Sequence, residues 1–202
     1  MRSFAMFKDH INLLNLPGFS SGDRIIEDRE IEMLDTNEAM IYSLLKIQRI
    51  YLGGKIEEAY SLAQKFIKYL DSIMGSMTQV DFVFYFLLVS LERFKIRKKR
   101  GSWQIKRACG KYIKKLKKWA QMSPENHLGK YLLIRALLAS LNNQQQDAVR
   151  LYDEAIEHAR ANDNLLLGAL GNYLAADYFS CSQKIAKVYA QDAHRLFLKR
   201  GA

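Results

Sequence analysis

The amino-acid sequence predicts an all-α protein of about four helical hairpins behind an N-terminal helical cap. Three observations predict this class. Apolar residues return every three or four positions along most of the 202-residue chain, which is the period of an amphipathic helix. The two prolines, Pro17 and Pro124, lie where this periodicity lapses, and the alternating pattern of a strand is nearly absent. At 49% hydrophobic residues, the chain can bury a sizeable core.

Residues 1–35 are predicted to cover the apolar end of the first hairpin. Apolar residues spaced as in a short amphipathic helix precede a break at Pro17-Gly18, and an acidic helical segment follows at residues 23–34. A stack of helical hairpins needs such a cover, because its terminal hairpin otherwise exposes an apolar face. We therefore predict an N-terminal cap over residues 1–35 and a helical-repeat domain over residues 36–202.

The first hairpin is predicted from Glu38 to Ile73. Gly53-Gly54 ends its first helix, since glycine readily adopts the left-handed conformation found after helices, and a second helix runs from about Ile56 to Ile73. Helical spacing predicts two buried faces, formed in the first helix by Ile41, Leu44, Leu45, Ile47, Tyr51 and Leu52, and in the second by Ala59, Leu62, Ala63, Phe66, Ile67 and Leu70.

The same arrangement of two helices and a polar turn repeats along the rest of the chain. The predicted pairs are residues 80–94 with 102–121, residues 127–141 with 144–160, and residues 165–179 with 183–199. The second of the four hairpins differs from the others because its first helix is dense in Phe, Tyr and Leu. It is therefore predicted to be a degenerate repeat with a wider interface.

The third hairpin has small residues where two antiparallel helices approach closely, and an aromatic residue that fills the groove towards the next hairpin. This pattern resembles the tetratricopeptide repeat, and the resemblance implies a right-handed α-α superhelix. Hairpins one and four match it more loosely, and the period is irregular. The residues predicted to pack between helices are Ala59, Ala136, Ala148, Tyr152, Ala155, Ala186 and Ala193.

A more specific resemblance covers residues 119–202. The chain carries, in order, Pro124-Glu125-Asn126, Lys130-Tyr131-Leu132-Leu133, Tyr152-Asp153, Ala155-Ile156, Ala169-Leu170, Ala175-Ala176, Lys184-Ile185-Ala186, Tyr189 and Gly201-Ala202. This series is similar to the helical-repeat region of large bacterial sensor proteins that join Ser/Thr-kinase-like, AAA-type ATPase, GAF and histidine-kinase domains. Gly171 and Tyr173 depart from it. The resemblance implies a noncatalytic interaction scaffold, and it offers a linker remnant as an alternative to the cap at residues 1–35.

The net charge of +10 is concentrated in one stretch. Arg93 to Trp119 holds thirteen of the 31 Lys and Arg residues and no acid that could compensate them, which leaves 18 basic against 21 acidic residues elsewhere. On a helix, Ile105, Cys109, Tyr112, Leu116 and Trp119 form one apolar stripe, so the charges are predicted to lie outside it. The candidate patch for an anionic partner is Arg97, Lys98, Lys99, Arg100, Lys106, Arg107, Lys111, Lys114, Lys115 and Lys118.

This patch has several interpretations, of which a solvated outer helix face is the simplest. An acidic protein surface, an anionic lipid surface and nucleic acid are the functional alternatives, because a concentrated positive field attracts all three. Nucleic acid is disfavoured, since Tyr112 and Trp119 belong to the predicted buried stripe and no known nucleic-acid-binding motif frames the patch.

The sequence predicts no enzyme, cofactor or metal. A glycine-rich GxGxxG loop, an HRD-like catalytic loop and a DFG motif are all missing from it. His10, His127, His158 and His194 are isolated from one another, and the two cysteines lie 72 residues apart without a CxxC pair. Cys109 and Cys181 are interpreted as small apolar residues at packing positions.

A cytoplasmic protein is expected, because the N-terminus lacks the features of a signal peptide and the longest apolar run is too short to span a bilayer. The leading hypothesis is a noncatalytic protein-interaction scaffold of a bacterial signalling protein, and the alternative is binding of nucleic acid or an anionic surface through residues 93–118. The partner is predicted to be another protein or a neighbouring domain. A homodimer is compatible with an apolar end face.

Overall fold

The computed structural model describes residues 35–97 and 102–201, and the side chains among them except those of residues 102–106 and 201. These residues form eight α-helices and one 3-10 helix, without a strand among them, so the all-α prediction is confirmed. The α-helices are α1 (Thr36–Leu52), α2 (Ile56–Phe66), α3 (Met77–Ile96), α4 (Ser102–Met122), α5 (Pro124–Leu141), α6 (Gln145–Ala161), α7 (Leu165–Tyr178) and α8 (Gln183–Gly201). The 3-10 helix, η1, is Ile67–Ile73.

The described residues group into two compact units, and the division falls within α4 after Leu116. We call residues 35–116 the first unit and residues 117–201 the second unit. The predicted cap over residues 1–35 lies outside the described residues except for Asp35, whose carboxylate accepts hydrogen bonds from the backbone N–H groups of Asn37 and Glu38 at the start of α1. None of the described helices combines the length and apolarity needed to cross a membrane.

The first hairpin of the first unit follows the predicted turn but differs in its buried face. α1 ends at Leu52 and Gly54 takes a positive φ of 76°, which confirms the predicted stop. Ile41, predicted to be buried, is 45% exposed, whereas Met40 and Ser43 are buried in its place. The Ser43 hydroxyl donates to the Met40 carbonyl oxygen, so its burial leaves no unsatisfied donor.

The second helix of this hairpin is not a single α-helix to Ile73, as the sequence predicted. It ends at Phe66 and continues as the 3-10 helix η1. Three residues per turn place Leu70 and Ile73 on one face, and both are buried. Gly75, with φ of 82°, then allows the chain to turn into α3.

α3 is the central helix of the first unit. It contacts α1, α2 and η1, and its residues from Phe82 to Leu91 are buried on every side. An α-helix that is apolar all round requires neighbours all round. α4 supplies one of them, because the rings of Phe86 and Tyr112 pack edge to face with centroids 4.8 Å apart.

The second unit consists of helices that pack onto their neighbours along the chain. α5 packs on α6, α6 on α7, and α7 on α8, and α5 also contacts α7. The side chains of Ala136, Ala148, Tyr152, Ala155 and Ala193 are buried here, as that of Ala59 is in the first unit, whereas Ala186 is only half-buried. Small residues at these positions allow the helix axes to approach closely.

The turns at the two ends of α6 have the same local form. Each has an asparagine after the last helical residue, Asn142 after α5 and Asn162 after α6. A residue with positive φ follows, Asn143 at 58° and Asp163 at 50°. Asn and Asp tolerate this left-handed conformation better than other non-glycine residues, which explains why the chain needs no glycine at either turn.

Candidate functional site

The predicted basic patch is distributed over the end of α3, the connection to α4 and α4 itself. Arg97 is exposed immediately after α3, and the side chains of Arg107, Lys111, Lys114 and Lys118 are exposed along α4, whereas Lys115 is half-buried. Lys98, Lys99 and Arg100, together with the side chain of Lys106, lie outside the described residues.

One carboxylate in the first unit binds two of the thirteen basic side chains. Glu57, in the first turn of α2, accepts hydrogen bonds from Nε of Arg93 at 2.8 Å and from Nε and Nη2 of Arg97 at 2.7 and 2.8 Å. The guanidinium of Arg93 also lies 4.1 Å from the centroid of the Tyr60 ring. The hydrogen bonds from Arg93, which has the larger effect, and from Arg97 hold the pKa of the Glu57 carboxyl below its usual 4.5.

A second carboxylate binds a lysine of α4. Asp71 of η1 accepts a hydrogen bond from Nζ of Lys115 at 2.8 Å, and this contact lowers the pKa of Asp71. The prediction that no acid compensates the basic stretch is therefore wrong for Arg93, Arg97 and Lys115. The stretch itself contains no acid, but the fold brings one from α2 and one from η1, at sequence separations of 36 to 44 residues.

The remaining basic side chains of α4 in the first unit point away from its apolar stripe. Cys109 and Leu116 of the stripe are buried, and Tyr112 is half-buried against Phe86, while the side chain of Ile105 lies outside the described residues. Lys111 and Lys114 are exposed and form no ion pair with another described residue; Lys111 lies 5.6 Å from the Tyr112 ring centroid. Trp119, predicted to be buried, is half-buried.

Two half-buried tyrosines and one exposed arginine lie on the first helices of the two hairpins of the second unit. On α5, the guanidinium of Arg135 donates to the Tyr131 hydroxyl at 3.1 Å and lies 5.9 Å from the Tyr131 ring centroid. On α7, Tyr173 is half-buried although the residues on both sides of it are buried. We call Tyr131, Arg135 and Tyr173 the tyrosine–arginine surface.

None of these three residues was predicted to be a site residue. Tyr131 belongs to the series that resembles the sensor proteins, and Tyr173 is a departure from that series. The signal available in the sequence was the pair Tyr131 and Arg135, four residues apart on a helix whose opposite side is apolar.

The described residues offer little reactive chemistry. They contain no group of three or more His, Cys, Asp or Glu side chains arranged to hold a metal ion. Burial raises the pKa of the Cys109 thiol to about 11, against the weaker opposing effect of its hydrogen bond with Ser90. Cys181 was predicted to be a packing residue, and this is wrong, because it is exposed in the turn after α7.

An open depression follows the outer face of α6. Several of the charged side chains that line it are paired with each other or with neighbours in salt bridges. It is lined by Gln145, Gln146, Val149, Arg150, Asp153, Glu154 and Glu157. Arg150 pairs with both Asp147 and Glu154, and Asp153 accepts a hydrogen bond from the Tyr189 hydroxyl at 2.7 Å. The carboxylates are therefore used to join side chains within the second unit.

The fold defines an all-α protein whose most distinctive surfaces are polar and aromatic helix faces. In comparisons with known proteins, no family model, curated protein or solved structure matches the chain. The assignment of function therefore depends on the chemistry of these surfaces.

Proposed function

We propose that this protein is a noncatalytic protein-interaction scaffold and that the tyrosine–arginine surface of the second unit binds its partner. The observation that carries the proposal is the position of Tyr131, Arg135 and Tyr173 on the first helices of two hairpins whose first helices contact each other. In repeat proteins, the corresponding helices of successive hairpins together present the binding surface.

The chemistry of these side chains supports the proposal. Tyr and Arg are enriched among the residues that contribute most to protein–protein binding, because they combine a large apolar contact area with a polar end. The Tyr131 ring and the Arg135 guanidinium already hold each other in place, which lowers the entropy lost when a partner orders them.

We further propose that the hairpins form a tetratricopeptide-like, right-handed superhelix and that the protein works in the cytoplasm, as a helical-repeat segment of, or derived from, a multidomain signalling kinase or ATPase. Support for this comes from the buried small residues of the second unit and from the sequence resemblance over residues 119–202. A neighbouring domain of the same polypeptide is then the first partner to test, with a homodimer as another arrangement.

The experiment is affinity capture with matched variants, using the chain alone and fused to the products of its neighbouring reading frames. Tyr131→Ala/Arg135→Ala/Tyr173→Ala removes the proposed surface. Tyr42→Ala/Arg49→Ala/Tyr69→Ala removes two exposed tyrosines and one exposed arginine from the first unit and is the composition-matched control. Circular dichroism checks that both variants remain helical.

We expect a partner that the wild-type protein and the control retain, and that the first variant loses by about tenfold or more, since interface aromatic and Arg residues commonly contribute above 1 kcal/mol each. Equal retention by both variants would exclude the tyrosine–arginine surface as the binding site. Failure of every form of the wild-type chain to retain a protein would overturn the scaffold proposal itself.

A further inference from the structure

The excess positive charge of the molecule belongs mainly to the first unit. Residues 35–116 contain 16 Lys and Arg but only seven Asp and Glu, whereas residues 117–202 contain 11 and eight. Two of those seven acids, Glu57 and Asp71, already bind Arg93, Arg97 and Lys115. The first unit therefore has few carboxylates left for the exposed lysines of α4.

Lys111 and Lys114 lie on adjacent turns of α4 and are both exposed, and Arg107 is exposed one turn before them. Positions separated by three, four and seven residues share one face of a helix. We call these three residues the α4 basic face. Leu116 and Cys109, on the other side of the helix, are buried, so this face of α4 is fixed by the packing of its apolar stripe.

The contacts inside the first unit show that carboxylates on neighbouring helices bind basic side chains adjacent to this face. Carboxylates carried by helices beside α3 and α4 reach basic residues at 2.7 to 2.8 Å in each of the pairs formed by Glu57 and Asp71. A further acidic helix laid along the α4 basic face would repeat that geometry, with acids every three or four residues opposite basic residues of the same spacing.

The structure also disfavours nucleic acid as the occupant. Recognition of single strands relies on aromatic rings available for stacking, but the Tyr112 ring is packed against Phe86. Bidentate contact to phosphate or guanine relies on a free arginine fork, but the Arg97 fork is bound to both carboxylate oxygens of Glu57. Two of the three residues of the α4 basic face are lysines, whose ammonium groups bind as point charges.

We propose that the α4 basic face docks an acidic helical segment of a partner protein. This docking surface is separate from the tyrosine–arginine surface and extends the proposed scaffold function to a second contact. Its affinity arises from exposed charges, so it falls as the salt concentration rises.

The test uses the full chain and a fluorescently labelled helical peptide with Glu at every third and fourth position, measured by fluorescence anisotropy at 50 and 200 mM NaCl. The same peptide with Gln in place of Glu controls for nonspecific contact. Lys111→Gln/Lys114→Gln removes two charges from the face, and Lys55→Gln/Lys68→Gln removes two from exposed lysines elsewhere in the first unit.

We expect the Glu peptide to bind and the Gln peptide not to bind. The Lys111→Gln/Lys114→Gln variant should lose about fivefold in affinity, in line with a few-fold for each exposed charge pair, and the control variant less than twofold. Charge reversal in Lys111→Glu/Lys114→Glu should transfer binding to a peptide with Lys in place of Glu.

Three results would overturn the proposal: no binding at 50 mM NaCl, equal losses in the two lysine variants, or displacement of the peptide by a 20-nucleotide single strand that binds more tightly. The last result would assign the face to nucleic acid. Partner capture through the tyrosine–arginine surface is measured separately. Failure of peptide binding here leaves that surface standing, and equal retention by the tyrosine–arginine variants leaves the α4 basic face standing.

Discussion

The two units bury their helices by opposite means. In the first unit, α3 fills its surroundings with large side chains, among them Phe82, Phe84 and Phe86. In the second unit, α5, α6 and α7 approach one another across buried alanines such as Ala136, Ala155 and Ala175. The stability of the first unit is therefore sensitive to substitutions that remove buried side-chain volume, and the stability of the second unit to substitutions that add it. The surfaces of the two units differ as well, because the first unit carries most of the excess positive charge, whereas half-buried Tyr131 and Tyr173 lie on the first helices of the second.

The largest effect is expected from removing a large side chain of α3. Phe82 is completely buried, and Phe82→Ala should lower the free energy of unfolding by about 3–5 kcal/mol, because it removes apolar contacts and leaves a cavity. Chemical denaturation followed by circular dichroism measures the change. Met74→Ala, at a residue that is 78% exposed, is the control and should change the free energy by less than about 0.5 kcal/mol. Similar losses in the two variants would show that α3 is not the centre of a packed unit.

The two cysteines should differ strongly in reactivity. Burial raises the pKa of the Cys109 thiol from its usual 9.0 to about 11, so its thiolate fraction at neutral pH is about 100-fold below that of an ordinary thiol. Labelling of the native protein with iodoacetamide should modify the exposed Cys181 only, and denaturant should release Cys109. Mass spectrometry of tryptic peptides measures both sites. Rapid native labelling of Cys109 would contradict the packing of α4 on α3.

Two glycine-to-alanine substitutions, one in each unit, should change the free energy of unfolding in opposite directions. A Cβ atom at Gly129 in α5 would lie 2.8 Å from Cδ2 of Leu167 and 2.9 Å from Nδ1 of His158, whereas at Gly110 in α4 it would meet no atom within 4 Å. Gly129→Ala should cost about 1–2 kcal/mol through overpacking. Gly110→Ala should add about 0.5–1 kcal/mol, since alanine favours a helix. Thermal denaturation measures the change in stability of each variant. A Gly129→Ala variant as stable as the wild-type protein would show that the second unit relaxes around the added methyl group.

The smallest effect is expected at the Glu57 ion pairs, because Glu57 is exposed and solvent screens it. Its pKa is lowered in the folded protein, so its contribution to stability is present above the unfolded value of about 4.5 and is lost as the pH falls through the lower folded value. Glu57→Gln should therefore flatten the decline of the thermal midpoint at acidic pH without altering the midpoint at pH values below the folded pKa of Glu57. An unchanged pH profile would mean that Arg93 and Arg97 contribute nothing through this carboxylate.

Local sequence patterns predicted the helices better than they predicted the contacts. Helical periodicity and turn residues located the ends of most helices within a few positions, including the stop at Gly53-Gly54. The burial of Met40 in place of Ile41 was missed, because both residues lie near the edge of an apolar stripe and packing selects one of them. The 3-10 end of the second helix was missed as well, since Ile67 to Ile73 carries no residue that breaks a helix.

The candidate surfaces were harder to predict, because they depend on residues distant in the sequence. No pattern within residues 93–119 could show that Glu57 and Asp71 bind three of the thirteen basic side chains. The partial burial of Tyr173 likewise depends on how α7 packs, since the residues on both sides of it are fully buried. Arginines and lysines can be counted in a sequence, whereas their exposure and their ion-pair partners can be identified only from the fold.

The paired turns at Asn143 and Asp163 have a consequence for how such a chain can evolve. Because the same left-handed step joins α5 to α6 and α6 to α7, a duplicated stretch of gene encoding one helix and one turn already contains the backbone conformation needed to join it to its neighbour. Lengthening this unit would require new packing residues but no new turn. Its size is thus open to change by duplication. The first unit uses the same left-handed step at Gly54, between α1 and α2, but its helices close around α3, which is buried on every side, so an added helix there would require a rearranged core.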